Sequence, residues 1–465
     1  MIRFARCLAL ACMACVRYEP RPLDPARHPI ELRSRDLGDS SLVAGVARYA
    51  GLPEGRRWTD RQLAVAALRL RADLRRLRAE WRAARAAIRT AGERPRPGVE
   101  GDLERRVGGR DEGSPWVVAV AGMFALELGG KRGARLQAAR AAVTLAESTL
   151  LAAAWGAATD TRRAAAGLAQ AGGEVEDARE EVRLLEEVHG LERARYAEAA
   201  LGASDLARTS TEIQNARLSL AEAEHGVFEA QAALAAALAV PVRAVEAVEP
   251  VFTPPAGCSS LDSIGVDSFV AGALRRRHEV SLALGKYALA ESRLRLQVAR
   301  QYPNLELGPG FIWDQGVNRW TLALALPALL GSRNRGAIGE AEAAREVAGL
   351  EVAEVQDSVF AHVESAVQRC RGAALEVAAA DSVVAAATRL VERDRAAYRR
   401  GETSRLEPAR TELQLLRAQR ARRRAERRLA LASLELERAA AGPSTPAMNQ
   451  WPDPRQEPEE EATKP

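Results

Sequence analysis

Val175, Val182, His189 and Tyr196 recur every seven residues through a polar, Ala-rich stretch, with Ala178 and Leu185 between them. Close to two hundred residues later Val377, Val384, Val391 and Tyr398 repeat the spacing, interleaved with Ala380 and Ala387. A further ladder, Leu206, Ile213, Leu220, Val227 and Leu234, alternates with Ala216, Ala223, Ala230 and Ala237. A seven-residue period held this long marks coiled-coil seams, and alanine at alternate seam positions lets backbones approach closely. The pattern predicts very long helices. At 1.5 Å per residue, a helix over about 133–197 would be on the order of 100 Å long, a shape suited to bridging a gap rather than to a compact domain.

Two other regions carry a period of two. In NLELGPGFIWD, Leu305, Leu307, Phe311 and Trp313 fall on one face, and Asn304, Glu306, Gly308, Gly310 and Asp314 on the other. In WTLALALP, Trp320, Leu322, Leu324 and Leu326 alternate with Thr321, Ala323 and Ala325. Large apolar residues set against small or polar ones suit a membrane strand with lipid outside and a lumen inside. The polar DQGVNR between them forms the turn, with a tryptophan on either side. Residues 116–128, WVVAVAGMFALEL, read the same way, but their partner within 97–107, PGVEGDLERRV, is strongly charged. Buried strands of a soluble domain are the competing reading, which lacks any other strand-rich region to build a sheet. Four strands leave an open edge, so several chains must contribute to one barrel.

The chain is duplicated. RGARLQAARAAV from Arg132 matches RGAIGEAEAAREV from Arg335, each after an apolar stretch opened by tryptophan. RYAEAALGASDLARTSTEIQNAR from Arg195 matches YRRGETSRLEPARTELQLLRAQ from Tyr398. Each half runs helix (59–91 and 266–300), strand pair (97–128 and 303–327), long helix, tip (195–206 and 398–407), return helix. The tips join antiparallel hairpins, with Gly202 and Gly401 expected to close the outgoing helix and Ser204 and Ser404 to cap the return. The halves span 59–240 and 266–442, linked by 241–265. They are preceded by a signal over 1–15 and an extended segment over 16–58, and followed by a Pro-rich, acidic, disordered tail over 443–465.

Composition changes little in this picture. Aromatics are 4% of the 465 residues and net charge is +5, carried by arginine, since Lys131, Lys286 and Lys464 are the only lysines. The arginines interleave with acids instead of forming a basic patch, which argues against nucleic acid. The Arg-rich run 417–440 keeps an apolar stripe through Ala418, Ala421, Ala425, Leu429, Ala432 and Leu436, so its arginines read as the solvated, Glu-paired face of a helix. Five cysteines have no metal-site spacing, and their number is read as ruling out a disulfide framework. His28, His189, His225, His278 and His362 share no helix face. No Walker loop or GxSxG elbow is present. No catalytic, cofactor or metal site is expected. MIRFARCLALACMAC reads as an export signal with lipidation at Cys15, Cys12 being the alternative, against an ordinary N-terminus with chance cysteines. No apolar run reaches the ~20 residues of a spanning helix.

The order of elements, given twice, resembles the TolC-like outer-membrane efflux proteins. The residues that carry the likeness are YPNLELG at 302–308, LALPALLGSRNRGAIGEAEA at 324–343 and the two tips. LELGGKRGARLQAA at 126–139 is similar to the CzcC-like heavy-metal branch. The resemblance implies a mainly α chain with a small β part. Three copies would form a periplasmic α-barrel of long hairpins and a shared twelve-stranded transmembrane barrel in the outer membrane of a Gram-negative-type bacterium. Its partners would be two further copies, a periplasmic adaptor, an inner-membrane RND-type pump and outer-membrane lipid. It implies adaptor docking at Arg195, Tyr196, Gly202, Ser204, Leu206, Tyr398, Gly401, Ser404, Arg405 and Leu406. Asp205, Glu402 and Glu407 are candidate carboxylate rings of a periplasmic gate, held by Arg405 or Arg410. Heavy-metal efflux is the expected role. Type I protein secretion or drug efflux is the alternative, and a structural periplasmic coiled-coil protein without a pore the second.

Overall fold

The computed structural model describes residues 18–105, 107–108, 114–255, 257–261, 265–314, 316–326, 334–440, 453 and 455. Cys12, Cys15 and almost all of the tail lie outside them. Two helical hairpins dominate. In the first, α5 (Lys131–Ala197) descends and α6 (Ala203–Leu238) returns; in the second, α9 (Arg335–Arg399) descends and α10 (Leu406–Ala440) returns. The first ladder is a packed seam at Val175, Ala178 and Leu185, as is Ile213–Ala216 on the return. In the second ladder Val391 is buried, but Val377, Val384, Ala380 and Ala387 are only half buried. Within α5 one 18-residue window has a mean hydropathy of 1.3, apolar enough to cross a membrane, contrary to the sequence reading. The cause is its run of alanines, against which α4 (Ala72–Gly92) and α8 (His278–Arg300) pack.

Three expectations need correction. The segment 16–58 is not extended throughout: α1 (Arg27–Ser34) and α2 (Ser40–Ala50) lie in it. Asp39 starts α2 by accepting the Ser41 and Leu42 N–H groups, and Leu42 and Val46 are buried in a shared core with Leu168, Leu234 and Leu238. Next, the helix expected over 59–91 is two, α3 (Asp60–Leu70) and α4, and that over 266–300 is α7 (Val266–Arg276) and α8. Each pair breaks at an extended arginine, Arg71 or Arg277, whose guanidinium turns onto an acid two residues on, Asp73 at 2.7 Å or Glu279 at 2.9 Å. Neither break carries a proline or glycine to announce it. Finally, Cys258 and Cys370 form a disulfide. An odd count excludes complete pairing, not a single bridge between residues that folding brings together.

At the waist β1 (Arg57–Thr59) pairs in parallel with β4 (Glu249–Val251). Thr59 caps α3 in a reciprocal box with Gln62, at 3.2 and 2.8 Å. Above, β2 (Gly98–Arg105), β3 (Trp116–Leu126), β5 (Leu305–Asp314) and β6 (Val317–Ala325) form one antiparallel four-stranded sheet in that order. It is not closed.

Candidate channel surfaces

Residues directly opposite across antiparallel strands share a face. The register sets Leu103 beside Val118 and Val118 beside Trp313; Gly101 beside Val120, Val120 beside Phe311 and Phe311 beside Trp320; Phe124 beside Leu307 and Leu307 beside Leu324. Leu305, Leu307, Phe311 and Trp313 therefore lie on one face with Trp320, Leu322 and Leu324. That face continues across β3. Among the described residues nothing covers it on β6: Trp320 is 84% exposed, Leu322 72% and Leu324 66%, and Leu326 just beyond is 54% exposed. Trp116, Trp313 and Trp320 gather toward the end where the strands turn, and Arg105 stacks on Trp116 at 5.5 Å.

The charged strand β2 obeys the same alternation. Val99 and Leu103 take the apolar face, while Glu100, Asp102 and Glu104 line the other, beside Ala121, Ala119 and Val117. Glu306 and Asp314 share this second face, where Arg319 pairs with Asp314. The strand that looked poorly suited to a membrane thus gathers its three acids on one face, where Gly98 is the remaining position.

Sheet and hairpins meet where two quoted motifs converge. Gly129 has φ +72°, and a Cβ on it would lie 2.5 Å from Tyr302. Two residues on, Lys131 Nζ donates to Asn304 Oδ1 at 2.5 Å. The Gly-Gly-Lys step and the Tyr-Pro-Asn step thus form one junction. Its counterpart in the second repeat is left-handed too: Asn334, φ 58°, donates to the Gln297 carbonyl at 2.8 Å.

A sheet with one apolar and one acidic face, above paired hairpins of this length, is an architecture with known relatives. The family model described as outer membrane efflux protein matches residues 63–240. No curated protein matches the sequence. Among solved structures, the outer membrane protein VceC of Vibrio cholerae superposes with a TM-score of 0.64 at 19% identity, over 82% of this chain and 96% of that one. The outer-membrane channel OprN gives 0.66 at 18%, over 89% and 94%. The CmeC outer membrane channel of Campylobacter jejuni gives 0.62 at 15%, over 82% and 85%. The fold is that of outer-membrane efflux channels.

The tips of this efflux-channel fold close by one backbone device. In the second, Gly401 (φ +77°) donates to the Tyr398 carbonyl at 2.9 Å and Glu402 to the Ala397 carbonyl at 3.0 Å. In the first, Ala199 (φ 54°) donates to Tyr196 at 3.0 Å and Ala200 to Arg195 at 2.9 Å. Both are Schellman closures placed three residues after the seam tyrosine. Gly202 therefore does not close α5; it is extended and precedes α6 without a side-chain cap. Ser204 lies inside α6, and Ser404 Oγ instead accepts from Arg195 at 3.3 Å, tying tip to tip. Helix length is fixed by the seam, so the left-handed position falls where the ladder ends, whichever residue stands there. Tyr196 and Tyr398 are half exposed, Leu206 is half buried and Leu406 is buried against Val188 and Ala409.

Among the candidate gate carboxylates Glu407 meets the expected Arg410, while Glu402 has a different partner. Glu402 is held by Arg400 at 2.6 Å, and that hydrogen bond keeps its carboxyl below the usual range. Arg405 reaches Glu187 on α5 at 2.8 Å and Glu412 at 3.3 Å. Arg410 reaches buried Glu192 at 2.7 Å and lies 3.7 Å from Glu407. Asp205 is half buried at the start of α6. Higher up, Arg417 binds Glu181 at 2.9 Å, Arg423 binds Asp177 and Arg427 lies 3.6 Å from Glu174. The Arg run of α10 is therefore an ionic seam to α5, joining the hairpins, and not simply a solvated face. Ala421, counted in its apolar stripe, is exposed. The carboxylates Glu187 and Glu192 escaped the sequence reading; the acidic run of α5, matched in antiparallel against the arginines of α10, was the available signal.

Proposed function

We propose that three copies of this chain form the outer-membrane channel of a tripartite efflux assembly. The observation that carries the reading is the sheet: four strands, both outer edges open, one face apolar and exposed, the other acidic. Such a sheet satisfies its backbone in lipid only by closing with other copies, which gives the twelve-stranded barrel. Leu305, Leu307, Phe311, Trp313, Trp320, Leu322, Leu324 and Leu326 then face lipid, with Trp116, Trp313 and Trp320 as an interfacial girdle. The hairpins continue the lumen through the periplasm to the tips, where Tyr196, Leu206 and Tyr398 offer half-exposed apolar surface to an adaptor. Arg195 and Arg405 already serve contacts within the chain, so the tip backbone and the tyrosines carry the docking. The conduit makes and breaks no bonds; a pump supplies the energy and selects the cargo.

Heavy-metal cations are the proposed cargo, supported by the likeness of residues 126–139 to the metal branch and by the acidic inner face of β2. Asp205, Glu402 and Glu407 remain the candidate gate, with the Arg405–Glu187 and Arg410–Glu192 pairs as the links that hold the hairpins together above it. The test is the detergent-purified chain in planar bilayers. A trimer with cation-selective conductance, reduced in selectivity by Glu402→Gln with Glu407→Gln, is expected. A monomer without conductance would sink the reading, and unchanged selectivity would remove the gate assignment alone.

A further inference from the structure

The two repeats secure their waists differently. Tyr398 follows Tyr196 by 202 positions along the descending helices, and the same spacing relates Leu168 to Cys370. Leu168 sits in a core completed from outside the hairpin by Leu37, Leu42, Val46, Val240 and Val245. Cys370, 1% exposed, occupies the matching place in the second core. From the described part of the segment 241–265, Leu261 and half-buried Cys258 pack into that second core, with buried Gly257 beside Leu436. Among the described residues, the helical cover that α2 gives the first waist has no equivalent there. A disulfide stands in its place, with Cα atoms 5.4 Å apart and 112 residues apart in sequence.

We propose that Cys258–Cys370 is an oxidation-dependent clamp that fastens the waist segment to α9, replacing the apolar cover used in the first repeat. The loop it closes contains α7, α8, the β5–β6 ribbon and the upper part of α9, so one bond restrains the whole upper half of the second repeat. Bridging two thiols releases two protons and two electrons. Exchange with a disulfide-bearing thiol oxidase takes both electrons, reducing that oxidase to its dithiol. Such oxidants act outside the reducing cytosol, so the timing of closure, after export, rests on the channel reading above.

The test uses the full-length chain isolated from the cell envelope, unfolded without reductant, alkylated and read peptide by peptide. Peptide readout keeps the N-terminal cysteines separate. Cys258 and Cys370 should resist alkylation until reductant is added. Alkylation of both beforehand would overturn the clamp, and would leave the channel reading standing if the protein is a conducting trimer. In detergent, reductant should lower the apparent melting midpoint by roughly 5 °C, as expected for a loop of this length in a chain of this size. Cys258→Ser should melt lower and ignore reductant. Cys370→Leu, restoring the first repeat's residue, should ignore it as well. A wild-type midpoint that stays put while the bridge is shown to be reduced would refute the proposal.

Discussion

At the scale of single residues, burial decides which charges matter. Arg162 lies between Asp60 at 2.7 Å and Glu437 at 2.9 Å, all three nearly buried, joining α5 to α3 and to α10. Arg162→Met would strand two buried carboxylates, and removing one partner of such a network costs roughly 3–5 kcal/mol. Thermal or denaturant unfolding in detergent should show a loss of that order. Arg417→Met, on a 45%-exposed side chain, should lose well under ~1 kcal/mol. His278 gives a pH dependence. Packed against Trp155 at 6.1 Å, it has its pKa lowered by burial, with neighbouring Glu279 opposing. The unfolded chain therefore takes up a proton that the folded chain resists, and stability should fall as pH drops below about 6.5. His278→Phe should flatten that acid-side slope, measured as melting midpoint against pH. Arg417 was legible as part of a Glu-paired helix face, but Arg162 and His278 were not, because an Arg or His in an amphipathic helix looks alike whether it meets water or a buried neighbour.

At the scale of elements, the tips offer a pair of opposite predictions. Ala199 holds a left-handed conformation that costs an L-residue roughly 1–2 kcal/mol, so Ala199→Gly should stabilise by up to about 1 kcal/mol. Gly401→Ala, at the structurally equivalent position, should destabilise by about 1–2 kcal/mol. Melting midpoints of the two variants should move apart. Equal shifts would show that the tips do not share one closure. The heptad ladders and the period-two strands were readable because a helix seam or an apolar sheet face imposes its spacing on many residues at once. The breaks at Arg71 and Arg277 were not, since each depends on one arginine folding back onto an acid. Gly202 misled for a related reason: glycine marks a permissive backbone, while the end of the seam decides where permissiveness is needed.

At the scale of the whole molecule, the two faces of β6 separate the reading from its rivals. Lysine for Leu322 and Leu324 would face the bilayer, costing about 2–4 kcal/mol each near its midplane, and should abolish membrane insertion judged by fractionation and heat-resistant trimer on gels. Lysine for Thr321 and Ala323, on the opposite face, should leave insertion intact. If both pairs behave alike, the sheet does not face lipid. Sequence alone determined the repeat, the helical periods and the alternating strands, because these are local patterns enforced at every turn or every second residue. Tertiary structure decided what those patterns touch: that the acids of β2 share one face, that Gly129 meets Tyr302 and Lys131 meets Asn304, that the arginines of α10 bind α5, and that two cysteines far apart in sequence become neighbours. Such pairings follow from register and packing between distant segments, which no period along the chain encodes.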